Sequence, residues 1–140
     1  MRIPKISAAI FSTLFLRSLC SYACSCGSDL NYQVSRAEKI FLAKAISARV
    51  HNDANETSSY AEVEFSVIRQ LKGELPKSVT VKTKPPGGDC GIPITIAQTY
   101  VVFLRKGDEQ IQMCGGTHEM YGFQTKELEE ILRAIKKLSK

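Results

Sequence analysis

Thr99-Tyr100-Val101-Val102-Phe103-Leu104-Arg105 is seven residues of β-branched and aromatic character. It ends at the turn Lys106-Gly107-Asp108, and this pairing of run and turn signals a buried strand. After the turn, Glu109 to Cys114 is expected to pair back as a hairpin, closed by Gly115-Gly116. Upstream, Tyr60 to Leu71 alternates: Ala61, Val63, Phe65 and Val67 share one face, and Glu62 and Glu64 take the other. Lys72-Gly73-Glu74-Leu75-Pro76 breaks that strand, and Ser78 to Thr83 begins the next. Ile40 to Val50 is apolar without clean alternation and reads as a further strand, joined to Tyr60 by the turn-rich His51–Ser59 connection.

Two helices flank these strands. Ser28 or Asp29 is placed to cap a short one. Near the other end, Leu128, Ile131, Leu132, Ile135 and Leu138 recur at helical spacing, which predicts an amphipathic helix from about Thr125 to Lys137 packed against the sheet. Arg133, Lys136, Lys137 and Lys140 make its outer face basic, as a solvated face or as an attachment point for acidic polysaccharide. Lys84-Pro85-Pro86-Gly87-Gly88-Asp89 excludes regular structure. The pattern is mainly β. It predicts a five-stranded, OB-fold-like closed barrel with flanking helices.

The first 23 residues have another character. Arg2 and Lys5 precede an apolar run from Ile6 to Leu16, and Ser21-Tyr22-Ala23 supplies small residues for a cut after Ala23. This is the layout of a secretory signal peptide, with an apolar run too short to span a bilayer. The expected organisation is a leader over 1–23 and one secreted, extracellular domain over 24–140. The 140 residues carry 19 Lys and Arg against 14 Asp and Glu. Loss of the leader takes Arg2, Lys5 and Arg17 and no acid, leaving 16 against 14, a net charge of +2. That balance argues against nucleic acid as a partner. A hydrophobic fraction of 44% supports a packed core rather than a disordered chain.

Of five cysteines the leader holds Cys20, which leaves Cys24, Cys26, Cys90 and Cys114. An even count in a short secreted chain reads as a disulfide framework. Cys24 and Cys26 are not expected to bridge each other, so each is expected to pair with Cys90 or Cys114. A cut after Ala23 also makes Cys24 the first residue, with a free α-amine. Asn55-Glu56-Thr57 is a glycosylation sequon in the His51–Ser59 connection. His51 and His118 have no second ligand at metal spacing and read as solvated loop histidines. No nucleophile–base pair or phosphate-binding glycine loop is visible, so the chain reads as a non-enzyme.

The arrangement resembles the tissue inhibitors of metalloproteinases and the wider netrin-like domain family. The resemblance runs through Cys24-Ser25-Cys26, then Ala37-Glu38-Lys39-Ile40-Phe41-Leu42-Ala43-Lys44-Ala45 and Gln70-Leu71-Lys72-Gly73. It continues through Asp89-Cys90-Gly91, Tyr100-Val101-Val102-Phe103-Leu104 and Met113-Cys114. It implies the pairings Cys24–Cys90 and Cys26–Cys114, which staple the N-terminus onto the barrel. Two family features have no counterpart in these residues: a third disulfide, whose first half would fall near Ser35, and a cysteine-rich C-terminal domain.

The resemblance further implies inhibition of secreted zinc metalloproteases of the matrix metalloproteinase type. The α-amine and carbonyl oxygen of Cys24 would chelate the protease's catalytic zinc and displace its water. An α-amine, with an ordinary pKa of about 7.7–8.0, loses its proton cheaply near neutrality. An internal amide nitrogen cannot substitute, because its lone pair is delocalised. Ser25 would enter the adjoining substrate pocket, with Cys26 and Gly27 following and Gly87, Gly88 and Asp89 forming a second ridge. The chain would have no cofactor of its own, only a share in the protease's zinc. The alternative is a netrin-like adhesion or matrix-binding module without inhibitory activity, with the extracellular matrix as its partner.

Overall fold

The computed structural model describes residues 26, 29–52, 59–84, 90–122 and 125–139. The Asp29 side chain accepts the Tyr32 N–H at 2.7 Å and starts helix α1, Leu30–Arg36. The backbone turns extended at Ala37. There Lys72 Nζ donates to the Val34 and Ala37 carbonyls at 2.8 and 2.5 Å, a cation on the orphaned C-terminal oxygens of the helix. Gly73 follows with φ +73°, and a Cβ there would stand 2.9 Å from Glu38 O. The Lys72-Gly73 pair thus fixes how α1 meets the sheet.

The strands are β1 (Ala37–His51), β2 (Tyr60–Lys72), β3 (Ser78–Thr83), β4 (Thr99–Arg105), β5 (Gln110–Ile111) and β6 (His118–Glu119). Helix α2, Thr125–Leu138, follows. The sheet order is β5-β3-β2-β1-β4-β6, with β3–β5 parallel and the other pairs antiparallel. The fold is mainly β, a curled half-barrel of six strands rather than a closed barrel of five.

The difference begins at the Arg105–Asp108 turn. Asp108 N–H donates to Arg105 O, Gly107 takes φ +70°, and the Asp108 side chain accepts the Gln110 N–H at 2.8 Å. This turn carries the chain across the opening to β3, where Lys82 pairs with Gln110 and Thr83 with Ile111. The expected hairpin of Glu109–Cys114 with β4 therefore does not form. The free edge of β4 goes instead to β6 and to Thr117, whose buried hydroxyl accepts the Phe103 N–H at 2.9 Å and donates to Phe103 O at 3.4 Å. One side chain replaces a stretch of strand.

The sheet buries both faces. Inside the curl, Phe41, Ala43, Val63, Phe65, Val81, Tyr100 and Val102 form the first core, with Phe65 and Tyr100 edge to face at 5.7 Å between centroids. On the outer face, Val34 of α1 and Ile131 and Ala134 of α2 cover Ala37, Ile40, Val101 and Phe103. Helix α2 thus packs on the sheet as its spacing predicts, although Leu138 remains about half exposed. Register shifts between Ile40 and Phe41, Leu42 and Ala43, and Ala45 and Ser47 bend β1. They also explain the poor alternation of Ile40–Val50: neighbours such as Ile40 and Phe41 are both buried, one in each core.

Candidate functional site

Cys26 and Cys114 form a disulfide across 88 residues, with Cα atoms 4.9 Å apart. Cys114 lies in the 3-10 turn Met113–Gly115, held by Gly115 N–H donating to Gln112 O. The turn ends at Gly116, with φ +99°. A Cβ at Gly116 would come within 3.1 Å of the Phe103 ring, so only glycine lets the turn sit this close to β4.

Cys90 enters the same region from the β3 side. Its carbonyl accepts the Met113 N–H at 3.0 Å, and it is also disulfide-bonded. Two residues on, Ile92 N–H donates to the buried Thr83 hydroxyl at 3.1 Å. Cys90 holds φ +58°, a left-handed conformation that costs a side-chain-bearing residue about 1–2 kcal/mol. The contacts on either side hold it there.

Three of the sequence-predicted site residues, Cys26, Cys90 and Cys114, are therefore together at one end of the sheet. Cys24, Ser25, Gly27, Gly87, Gly88, Asp89 and the sequon residue Asn55 lie outside the described residues.

Beside this end is an open cleft of about 500 Å³. Ile92, Pro93 and Tyr100 line it, with Met113 and Tyr121 at the margin, together with His118, Glu119 and Glu127. The Tyr100 hydroxyl accepts the Thr95 N–H at 2.8 Å, and Met120 N–H donates to Thr99 O at 2.8 Å, so both sides of the cleft are tied to β4. Tyr121 is 71% exposed, and its phenol lies above the ordinary range, chiefly because the Glu119 carboxylate disfavours a second negative charge nearby.

The histidines are not the solvated loop residues expected. His118 Nδ1 contacts Gly116 O at 2.7 Å, and its Nε2 meets the Glu127 carboxylate in the first turn of α2. His51 stacks on Tyr60 with centroids 4.9 Å apart and bonds Glu62 at 3.0 Å, closing the β1–β2 ladder. Among the described residues, no group of three His, Cys, Asp or Glu side chains is placed to hold a metal. Nor is any helix among them long and apolar enough to cross a membrane.

Thr117, Thr83 and the His118–Glu127 contact were not legible beforehand. Each pairs residues distant in sequence, and none carries a local motif. No protein-family model matches this chain, and no curated protein matches it.

Proposed function

We propose that the chain is a secreted, netrin-like inhibitor of zinc metalloendopeptidases, of the kind represented by the tissue inhibitors of metalloproteinases. On this reading Cys24 is the first residue of the mature protein. Its α-amine and carbonyl oxygen cap the partner's catalytic zinc, and Ser25 enters the adjoining pocket.

The observation that supports this is the convergence of Cys26, Cys114 and Cys90 at one end of the sheet. On this reading a terminus stapled through Cys24 and Cys26 would have little freedom left to lose, which would lower the ordering cost of association. The expected Cys24–Cys90 bond would make Gly87-Gly88-Asp89 the second ridge of the same wedge. The chain needs no metal of its own, because the zinc belongs to the protease.

Intact mass and N-terminal sequencing of the exported protein test the first step: Cys24 should be first and unblocked. Titration against a panel of matrix metalloproteinases should then show inhibition, and one extra residue before Cys24 should abolish it while thermal stability stays unchanged. Equal inhibition by the extended form refutes zinc capping. A protein that leaves every protease active and binds matrix components is instead the adhesion module.

A further inference from the structure

The cleft beside the disulfide-linked end is open, largely apolar and one-sided in charge. Among the described residues no Lys or Arg lines this cleft; it holds the carboxylates Glu119 and Glu127 and the His118 ring. Glu127 is engaged by His118. Glu119 accepts one long bond, 3.4 Å, from the Tyr121 hydroxyl, and keeps acceptor capacity for a stronger donor. Tyr121 and Met113 leave 71% and 43% of their surface open at the margin. Exposed aromatic and methionine surface around a charged group is the composition of a recognition site rather than of a plain solvated loop.

We propose that this cleft receives an arginine side chain presented by a loop of a partner protein. The methylene stem would lie along Met113 and Pro93, the guanidinium would pair with the Glu119 carboxylate, and its plane would stack on Tyr121. Arginine suits the site better than lysine, because a planar guanidinium uses the ring face and the carboxylate together. A bare metal ion suits it poorly, since the described residues place no three ligands around one point. The walls are already formed: Met113 is held to Cys90 and Met120 to Thr99 by backbone hydrogen bonds. Little ordering therefore remains for the partner to impose. This contact is separate from the zinc cap and serves an inhibitor or an adhesion module equally.

The test is an amide NMR titration of the disulfide-bonded protein with the blocked peptide Ala-Leu-Arg-Leu-Ala, and with the same peptide carrying citrulline, which keeps the shape and removes the charge. The arginine peptide should shift the amides of Met113, His118, Glu119 and Tyr121. The citrulline peptide, and the arginine peptide on Glu119→Gln, should bind about fivefold more weakly, as loss of a partly screened ion pair predicts. Tyr121→Leu keeps apolar area but removes the ring face, and should weaken binding about threefold. Shifts scattered over the surface, or equal shifts from both peptides, overturn the proposal. No protease is present in this titration, so its failure leaves zinc capping untouched. Conversely, the form extended before Cys24 should give unchanged peptide shifts whether or not it inhibits.

Discussion

Replacing Cys26 and Cys114 together by serine removes a cross-link spanning 88 residues. In the chain-entropy model a loop of that size contributes about 4.6 kcal/mol, by restricting the unfolded chain. Cys90 remains in its own disulfide and already restricts that chain, so the expected loss is nearer to about 3 kcal/mol. Domains of this class have about 5–15 kcal/mol of stability, so the variant should still fold, with a reduced margin. At this size a loss of about 3 kcal/mol lowers Tm by about 10–15 °C. The double variant is the right one, because a single serine leaves a thiol free to exchange with the Cys90 bond. Thermal unfolding followed by circular dichroism reads the shift, and a urea titration gives the free energy. A Tm within about 3 °C of the parent would show that the bond constrains nothing the fold does not already fix. A chain unfolded at room temperature in water would refute the entropic argument from the other side.

Three further outcomes follow from single contacts. Thr117→Val keeps the shape but leaves the buried Phe103 N–H and C=O without their partner, and should cost about 2–4 kcal/mol by urea titration, against about 1 kcal/mol for Thr117→Ser. Gly73→Ala places a Cβ 2.9 Å from Glu38 O at φ +73° and should cost about 2–3 kcal/mol. Gly107→Ala, at φ +70° with nothing within 4 Å, isolates the backbone term of about 1 kcal/mol, and equal losses at the two sites would refute the steric part. Glu119→Gln should bring the Tyr121 phenol down towards its ordinary value in an ultraviolet absorbance titration. The sign follows from the raised value: the folded protein holds the phenolic proton longer, so this part of the stability is present below about pH 10 and lost as pH rises further. An unshifted phenol in the variant would remove Glu119 as the cause.

Strand positions were legible where burial has one simple period or none. Ser78–Thr83 and Thr99–Arg105 match the observed strands residue for residue. Val101 and Phe103 face the helices while Tyr100, Val102 and Leu104 face the curl, which is why that run is apolar throughout. Closure of the sheet was not legible, because it depends on where the Lys106–Asp108 turn aims the next residues. A two-residue parallel pairing such as β3–β5 leaves no periodic trace. The cysteines announced a framework, and the Cys26–Cys114 bond follows the pairing that the family resemblance implies. The cleft went unseen because its residues come from four separate places in the chain, and a lone Glu119-Met120-Tyr121 looks like any surface loop.

β1 has one consequence beyond architecture. Its residues alternate between two hydrophobic interiors, Phe41 and Ala43 inward and Ala37 and Ile40 towards the helices. Neither interior survives once β1 leaves. Partial opening is therefore expected at the margins of the sheet, and the amides of residues 40–44, where β1 lies between β2 and β4, are expected to exchange with solvent last.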